Sequence, residues 1–294
     1  MKHVYLSFSA LLISTLFFSG CSKSKQEATV PAYLRIDSID FQGTSIQGTN
    51  NQNITEAWIF IDSDLQGIYD LPCEVPILAL GSREVKIRGG IKRNGMGTSR
   101  VVSPFFSTYT EQLTFEPGKT ALVKPVVGYF SDVEVWNESF EDAGGIQFST
   151  TTNSDTTLRL TNAPGEVFEG YGSGKAFLPD GKTYMKFFTN LRKTLPKANP
   201  VFMELNYKCN DVVNVGLIAH EAGGDISTVV LYLKPTENDP LIKNGWNKIY
   251  INLSDQINLS TASTQFDIFF ELRKQSSSGT SYMLLDNVKL VYPE

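Results

Sequence analysis

The chain has 294 residues, with 26 Lys and Arg against 31 Asp and Glu and a formal net charge of −5. That acidic balance gives a nucleic-acid partner no electrostatic support, because phosphate backbones are held by basic patches. The length is sufficient for two domains of ordinary size.

The first element is an almost wholly apolar run over residues 4–18, preceded by Lys2 and His3. A membrane-spanning helix needs about 20 apolar residues, so this shorter run reads as the hydrophobic region of a secretory signal peptide. It stops at Phe18-Ser19-Gly20-Cys21, which resembles the lipobox of bacterial lipoproteins, with Phe18 where leucine is usual. The resemblance implies cleavage after residue 20, acylation of Cys21 and anchoring by the acyl chains rather than by a spanning helix. Residues 21–31 then read as a lipidated tether. Ser22 is not the aspartate of an inner-membrane retention signal, so the outer membrane is expected. Which face the chain occupies stays open.

Past the tether, helical periodicity is nearly absent. Short alternating runs rich in β-branched and aromatic residues predict strands near residues 33–41, 57–62, 84–88, 112–115 and 121–129. A second set is predicted near 157–161, 183–189, 201–207, 213–219, 228–234, 247–253, 266–273 and 282–292. Such spacing predicts sandwiches or small barrels. Glu116-Pro117-Gly118-Lys119 makes a turn and Ser131-Asp132 breaks the pattern, which places a domain boundary near Phe130. Once Cys21 carries lipid, Cys73 and Cys209 fall in different domains and read as two small buried hydrophobes.

Residues 32–130 carry Ala57-Trp58-Ile59-Phe60-Ile61-Asp62, then Leu65-Gln66-Gly67-Ile68-Tyr69-Asp70-Leu71-Pro72, then Leu80 to Ile87. This order resembles the small Ig-like or transthyretin-like β domains of exported proteins and implies a spacer or docking module. Gly67 and Gly81 are expected at chain reversals. Residues 131–294 open on Asn137-Glu138-Ser139-Phe140-Glu141 and close on Leu285-Asp286-Asn287-Val288-Lys289-Leu290. That pairing, with Gly172 to Leu178 and Gly245 to Leu253 between, resembles the galactose-binding-like jelly rolls that include many carbohydrate-binding modules. The expected fold is all-β, an Ig/transthyretin-like sandwich followed by a jelly-roll sandwich.

The resemblance implies that the opening and closing strands lie side by side. It also implies a structural Ca²⁺ between Glu141 and Asp286, with Asp286 tightening a turn or pairing with a lysine as the plainer reading. Sugar-binding jelly rolls stack exposed aromatic rings on pyranose faces, and the candidates are Phe168, Tyr171, Tyr184, Tyr232 and Trp246. Tyr171, in Gly170-Tyr171-Gly172, is the most exposed by pattern; Trp246 heads an interior strand and is kept beside it.

Catalytic patterns are thin. His220 lacks the second histidine four residues on that a zinc-peptidase helix needs, no Gly-x-Ser-x-Gly is present, and adjacent Glu141 and Asp142 face opposite ways on a strand. His220 reads as a strand end entering a hairpin turn. The chain is therefore expected to be no enzyme. Two readings remain: a glycan-binding lipoprotein of the cell envelope, or a protein-binding accessory subunit of an outer-membrane uptake or secretion complex. A groove lined by aromatics favours the first; a flat apolar patch or bare edge strand favours the second.

Overall fold

The computed structural model describes residues 30–142, 145–275 and 279–294. The signal segment, Cys21 and nearly all of the tether lie outside the described residues. Among the described residues no helix is long and apolar enough to cross a membrane. The chain is all-β, a smaller sandwich followed by a jelly-roll sandwich.

The first sandwich uses β1 (Ala32–Ile36), β2 (Asp40–Phe41), β3 (Glu56–Ile61), β4 (Asp64–Asp70), β5 (Cys73–Ile77), β6 (Gly81–Lys92), β7 (Arg100–Val102), β8 (Tyr109–Phe115), β9 (Thr120–Val123) and β10 (Val126–Val127). One sheet runs β4-β3-β6-β7 with β8 also on β6; facing it are β5-β1-β9 and the short pair β10-β2. Period-two alternation sends Leu34 and Ile36 of β1, Ile59 and Ile61 of β3, and Val85 and Ile87 of β6 into one core.

The expected reversal at Gly67 is not found. The chain reverses at Asp62 and Ser63, both at positive φ, as a two-residue hairpin turn requires. Gly67 instead pairs with Ile59 inside β4, beside a bulge, and the Tyr69 ring lies 2.7–2.8 Å from where a Cβ would stand. Glycine is needed there for close approach, a demand that looks the same in sequence as a demand for a turn. Gly81 does begin β6 at φ 84.

The second sandwich uses β11 (Val133–Glu138), β12 (Phe148–Thr150), β13 (Arg159–Thr161), β14 (Ser173–Leu178), β15 (Tyr184–Thr189), β16 (Lys193–Thr194), β17 (Phe202–Cys209), β18 (Val213–Glu221), β19 (Gly224–Leu233), β20 (Asn247–Asn252), β21 (Gln265–Arg273) and β22 (Ser281–Pro293), with one short helix, α1 (Ser254–Leu259). One sheet is β13-β14-β22-β17-β20 with β11 on β22; the other is β12-β15-β21-β18-β19 with β16 on β21. Stacked Phe187 and Phe270, with ring centroids 5.2 Å apart, lie in the core between the two sheets. The opening strand does lie beside the closing one, from Val133 opposite Pro293 to Glu138 opposite Val288.

The Asp286-Asn287 pair of the closing motif is a β-bulge. Between Glu204 opposite Lys289 and Asn206 opposite Asp286, β22 carries one residue more than β17. Asn287 takes φ 48, a left-handed conformation that Asn tolerates better than most residues. Alternation therefore shifts by one: Met283 and Leu285 face the core, then Val288, Leu290 and Tyr292 do.

Strand β17 is buried on both faces. Met203, Leu205, Tyr207 and Cys209 enter the second core, while Phe202, with Tyr250 and Val291 from neighbouring strands, joins the core of the first sandwich. Phe105 meets Phe202 edge-on at 5.5 Å. Beside this apolar contact lies a buried polar one. The Glu204 carboxylate accepts from Gln52 (3.1 Å) and the Tyr129 hydroxyl (3.0 Å), and the Lys248 ammonium stands 3.6 Å away. Lys289 donates to the Thr49 carbonyl at 2.9 Å. The Tyr250 hydroxyl accepts from the Asn53 amide and donates to Gln52, both at 2.7 Å. Cys73 and Cys209 are free thiols, and burial pushes the Cys209 thiol up to about 12.

Candidate functional site

Outward side chains of β14, β17 and β22 floor the part of this sheet that the first sandwich leaves uncovered. They are Lys175 and Phe177, Lys208, and Tyr282 and Leu284. Two walls rise beside them: the segment between β13 and β14, and the 3₁₀ turn Lys243–Gly245 that leads into Trp246. Two adjoining hollows result, of about 660 and 490 Å³, sharing Gly165 and Lys208. In the larger, Trp246 packs against Phe168 with centroids 5.4 Å apart and planes at 57°. Both rings are half-buried, so each keeps a surface toward the hollow.

The wall carrying Phe168 is fastened twice. Ser173 accepts from the Phe168 amide (3.1 Å) and donates to the Asp286 carboxyl (2.6 Å), tying the wall to the bulge. The Glu141 carboxylate accepts from the amides of Tyr171 (2.9 Å) and Gly172 (3.2 Å). Glu141 and Asp286, expected as calcium ligands, thus both grip the 168–173 segment. Asp286 also accepts from the Asn287 amide at 2.8 Å. Among the described residues no group of three or more His, Cys, Asp or Glu is placed to hold a metal. Both carboxylates are turned to N–H and O–H donors, and backbone carbonyls would have to supply most of the six to eight oxygens that Ca²⁺ takes. The donor set as arranged does not fit a shared ion.

Burial raises the Asp286 carboxyl to about 7, against the lowering effect of its Ser173, Asn287 and Glu169 donors. Unfolded, the group titrates near 3.8. The folded protein therefore holds this proton more tightly, and the stability tied to it is lost as pH rises toward and through about 7. Asp286→Asn, which keeps shape and removes the charge, should raise the melting temperature relative to the parent more at pH 8 than at pH 5. Parallel melting curves across that range would rule out a buried titrating carboxyl.

In the smaller hollow, burial pushes the Glu166 carboxyl up, but the Lys175 ammonium and Thr161 hydroxyl that bond it outweigh this and leave it lowered. Burial and a hydrogen bond to Glu237 raise the Tyr282 phenol.

The structure brings Trp246 and Phe168 together and sets Tyr171 apart. Tyr171 is 88% exposed on the adjoining loop and does not line either hollow. Tyr184 lies on the opposite sheet, its ring under the Arg273 guanidinium at 4.6 Å, and Tyr232 is exposed on β19 of that sheet. Lys208, Phe177 and Tyr282 escaped sequence reasoning; their one signal was the outward phase of strands whose inward phase is apolar. His220 stands where expected, opposite Asp225 in the β18–β19 hairpin, with its ring nitrogens 2.8 Å from Asp225 and 2.9 Å from Asp267. Asp267 in turn accepts from Thr189 and the Leu191 and Arg192 amides, so the histidine knits three chain segments together.

No protein-family model matches the chain, and no curated protein matches it. Among solved structures, the chain is similar to the CBM22-1 xylan-binding domain from Paenibacillus barcinonensis Xyn10C, with 12% identity and a TM-score of 0.41 over 55% of this chain and 96% of that one. It is also similar to the K1 cleaved adhesin domain of Lys-gingipain from Porphyromonas gingivalis W83, with 16% identity and a TM-score of 0.37 over 53% and 97%. A family 11 carbohydrate-binding module from Clostridium thermocellum aligns at 11% identity and a TM-score of 0.36 over 53% and 95%. With likenesses this distant, the functional reading rests on the cleft's own residues.

Proposed function

We propose that the protein is a non-catalytic lipoprotein, anchored in the outer membrane through Cys21, that binds polysaccharide in the Phe168–Trp246 cleft. The observation that carries this reading is the paired aromatic surface beside an open, polar-floored hollow. An aromatic face covers the C–H face of a pyranose, and flanking polar groups take its hydroxyls. Residues 32–130, taken as an Ig/transthyretin-like module, would space residues 131–294 from the membrane.

The test is polysaccharide binding by the full-length protein in detergent, together with fractionation of cells. Trp246→Ala should abolish retention on a glycan array while leaving the melting temperature within a few degrees. Cys21→Ser should move the protein out of the membrane fraction. Array binding untouched by Trp246→Ala would refute the cleft, and unchanged membrane partitioning would refute the anchor. One observation favours the accessory-subunit reading: β19 is an edge strand of ten residues exposing Ile226, Val229 and Tyr232. Recovery of an outer-membrane complex with no glycan bound would decide for it.

A further inference from the structure

The larger hollow is lined by Gly165, Val167, Phe168, Lys208, Lys243, Asn244 and Trp246, which include two cations and no carboxylate. Among the described residues, neither lysine makes a salt bridge or donates a side-chain hydrogen bond; the ammonium groups that do pair are elsewhere, such as Lys175 with Glu166. Lys208 is also held in place. Its aliphatic stem runs beside Gly245, where an added Cβ would lie 3.0–3.2 Å from it, and Gly245 sits at φ 73. The fold thus uses a glycine turn to let a lysine stem pass under the Trp246 wall. Lys208 lines both hollows and already feels the Glu166 carboxylate of the smaller one. Neither ammonium is in direct contact with a carboxylate, however, and an anion beside the aromatic pair would supply that contact.

Resting on the glycan-binding reading, we infer that the ligand is an acidic polysaccharide, with a carboxylate or sulfate of the sugar at Lys208 and Lys243 and a pyranose face on Trp246 and Phe168. The smaller hollow fits the same chain. There Glu166 is paired with Lys175, and Thr280 and the Tyr282 hydroxyl line the same hollow, so it offers hydrogen-bonding groups to uncharged hydroxyls. The chain's overall negative charge works against nonspecific capture of polyanions, so an acidic glycan must be read locally, by these two lysines.

The experiment is titration calorimetry of the full-length protein in detergent with polygalacturonate, chondroitin sulfate and a neutral xylan. The probes separate carboxylate, sulfate and uncharged sugars. Lys208→Gln with Lys243→Gln removes both charges but shortens the stem beside Gly245, so its melting temperature serves as the folding control. The expected result is binding to one or both acidic polymers, weakened about tenfold or more by the double variant. Raising ionic strength should weaken parent binding and leave the variant's residual binding nearly unchanged. Lys208→Arg with Lys243→Arg should retain binding. Xylan bound as tightly as the acidic polymers, or acidic polymers bound equally by the glutamine variant, would overturn this inference and leave the glycan reading standing. Binding to none of the three, with an empty glycan array, would remove both.

Discussion

Glu204→Ala should destabilise the protein by about 3–5 kcal/mol, the cost of removing one partner of a buried ion pair and stranding the other. Glu204 is 1% exposed, and two cations depend on it: Lys248 at 3.6 Å and the fully buried Lys289. Burial pushes Lys248 below its usual range and takes Lys289 down to about 8, with Glu204 pulling each back up. The substitution removes that pull and also orphans the Tyr129 donor, while Gln52 keeps its bond to the Tyr129 hydroxyl. At about 2–4 °C per kcal/mol for a chain of this class, a melting shift of roughly 10 °C is expected by calorimetry at pH 7.

The pH dependence has a definite sign. A lysine depressed in the folded state to about 8 from 10.5 penalises folding while charged, so stability should rise as pH moves from 8 toward 10.5. In Glu204→Ala that rise should begin at lower pH. Replacing all three charges with Leu or Met of similar volume should come close to neutral, since removing a whole buried cluster removes its desolvation cost as well. A shift of only one or two degrees in the single variant would show that water reaches the cluster.

Gly216→Ala should be comparably severe. Gly216 follows the β18–β19 register shift, and an added Cβ would stand 2.1 Å from the Thr228 carbonyl oxygen and 2.5 Å from two carbons of the Phe269 ring. Phe269 itself cannot swing out freely, because the Lys186 ammonium lies 4.0 Å over its ring. Overpacking against a ring typically costs about 1–3 kcal/mol, and a clash with a paired strand's backbone adds to that. Urea unfolding should therefore report a loss of about 3 kcal/mol or more. Truncating the ring with Phe269→Leu should fail to rescue the variant, since the Thr228 oxygen remains. Gly223→Ala, with open space at its Cβ, is the matched control and should be near neutral. Full rescue by Phe269→Leu would place the constraint on the ring alone.

Much of the strand pattern was legible. The alternating runs near 201–207, 213–219, 247–253, 266–273 and 282–292 correspond to β17, β18, β20, β21 and β22, because a sandwich core demands every second residue. Strands β7, β12 and β16, each two or three residues long, are too short for a period to register; β4, β5, β11 and β14, five to seven residues long, were also absent from the alternating runs. The region near 33–41 is two strands, β1 and β2, separated by Asp37 to Ile39. Of the candidate aromatics, Trp246 lines the cleft although it heads an interior strand, and Tyr171, the most exposed by pattern, does not, because exposure in a loop carries no information on which surface the ring faces.

By itself the sequence determined the all-β class and the inward phase of most long strands; the adjacency of opening and closing strands came only as what the jelly-roll resemblance implies. Only the tertiary structure decided what covers the outward phase. Glu204, Asn206 and Lys289 alternate like solvated residues, yet they are buried where the two sandwiches meet, while Lys208, two positions further along β17, stays open in the cleft. Alternation reports that a face is polar and carries no information on whether water, a second domain or a ligand lies against it. That choice is made by chain segments more than 70 residues apart in sequence, as Tyr129 on Glu204 shows. The Asp286-Asn287 pair is the same case in miniature. Two polar residues in a strand read as ligands or a turn, and only register against β17 makes them a bulge that carries Asp286 to the wall of the cleft.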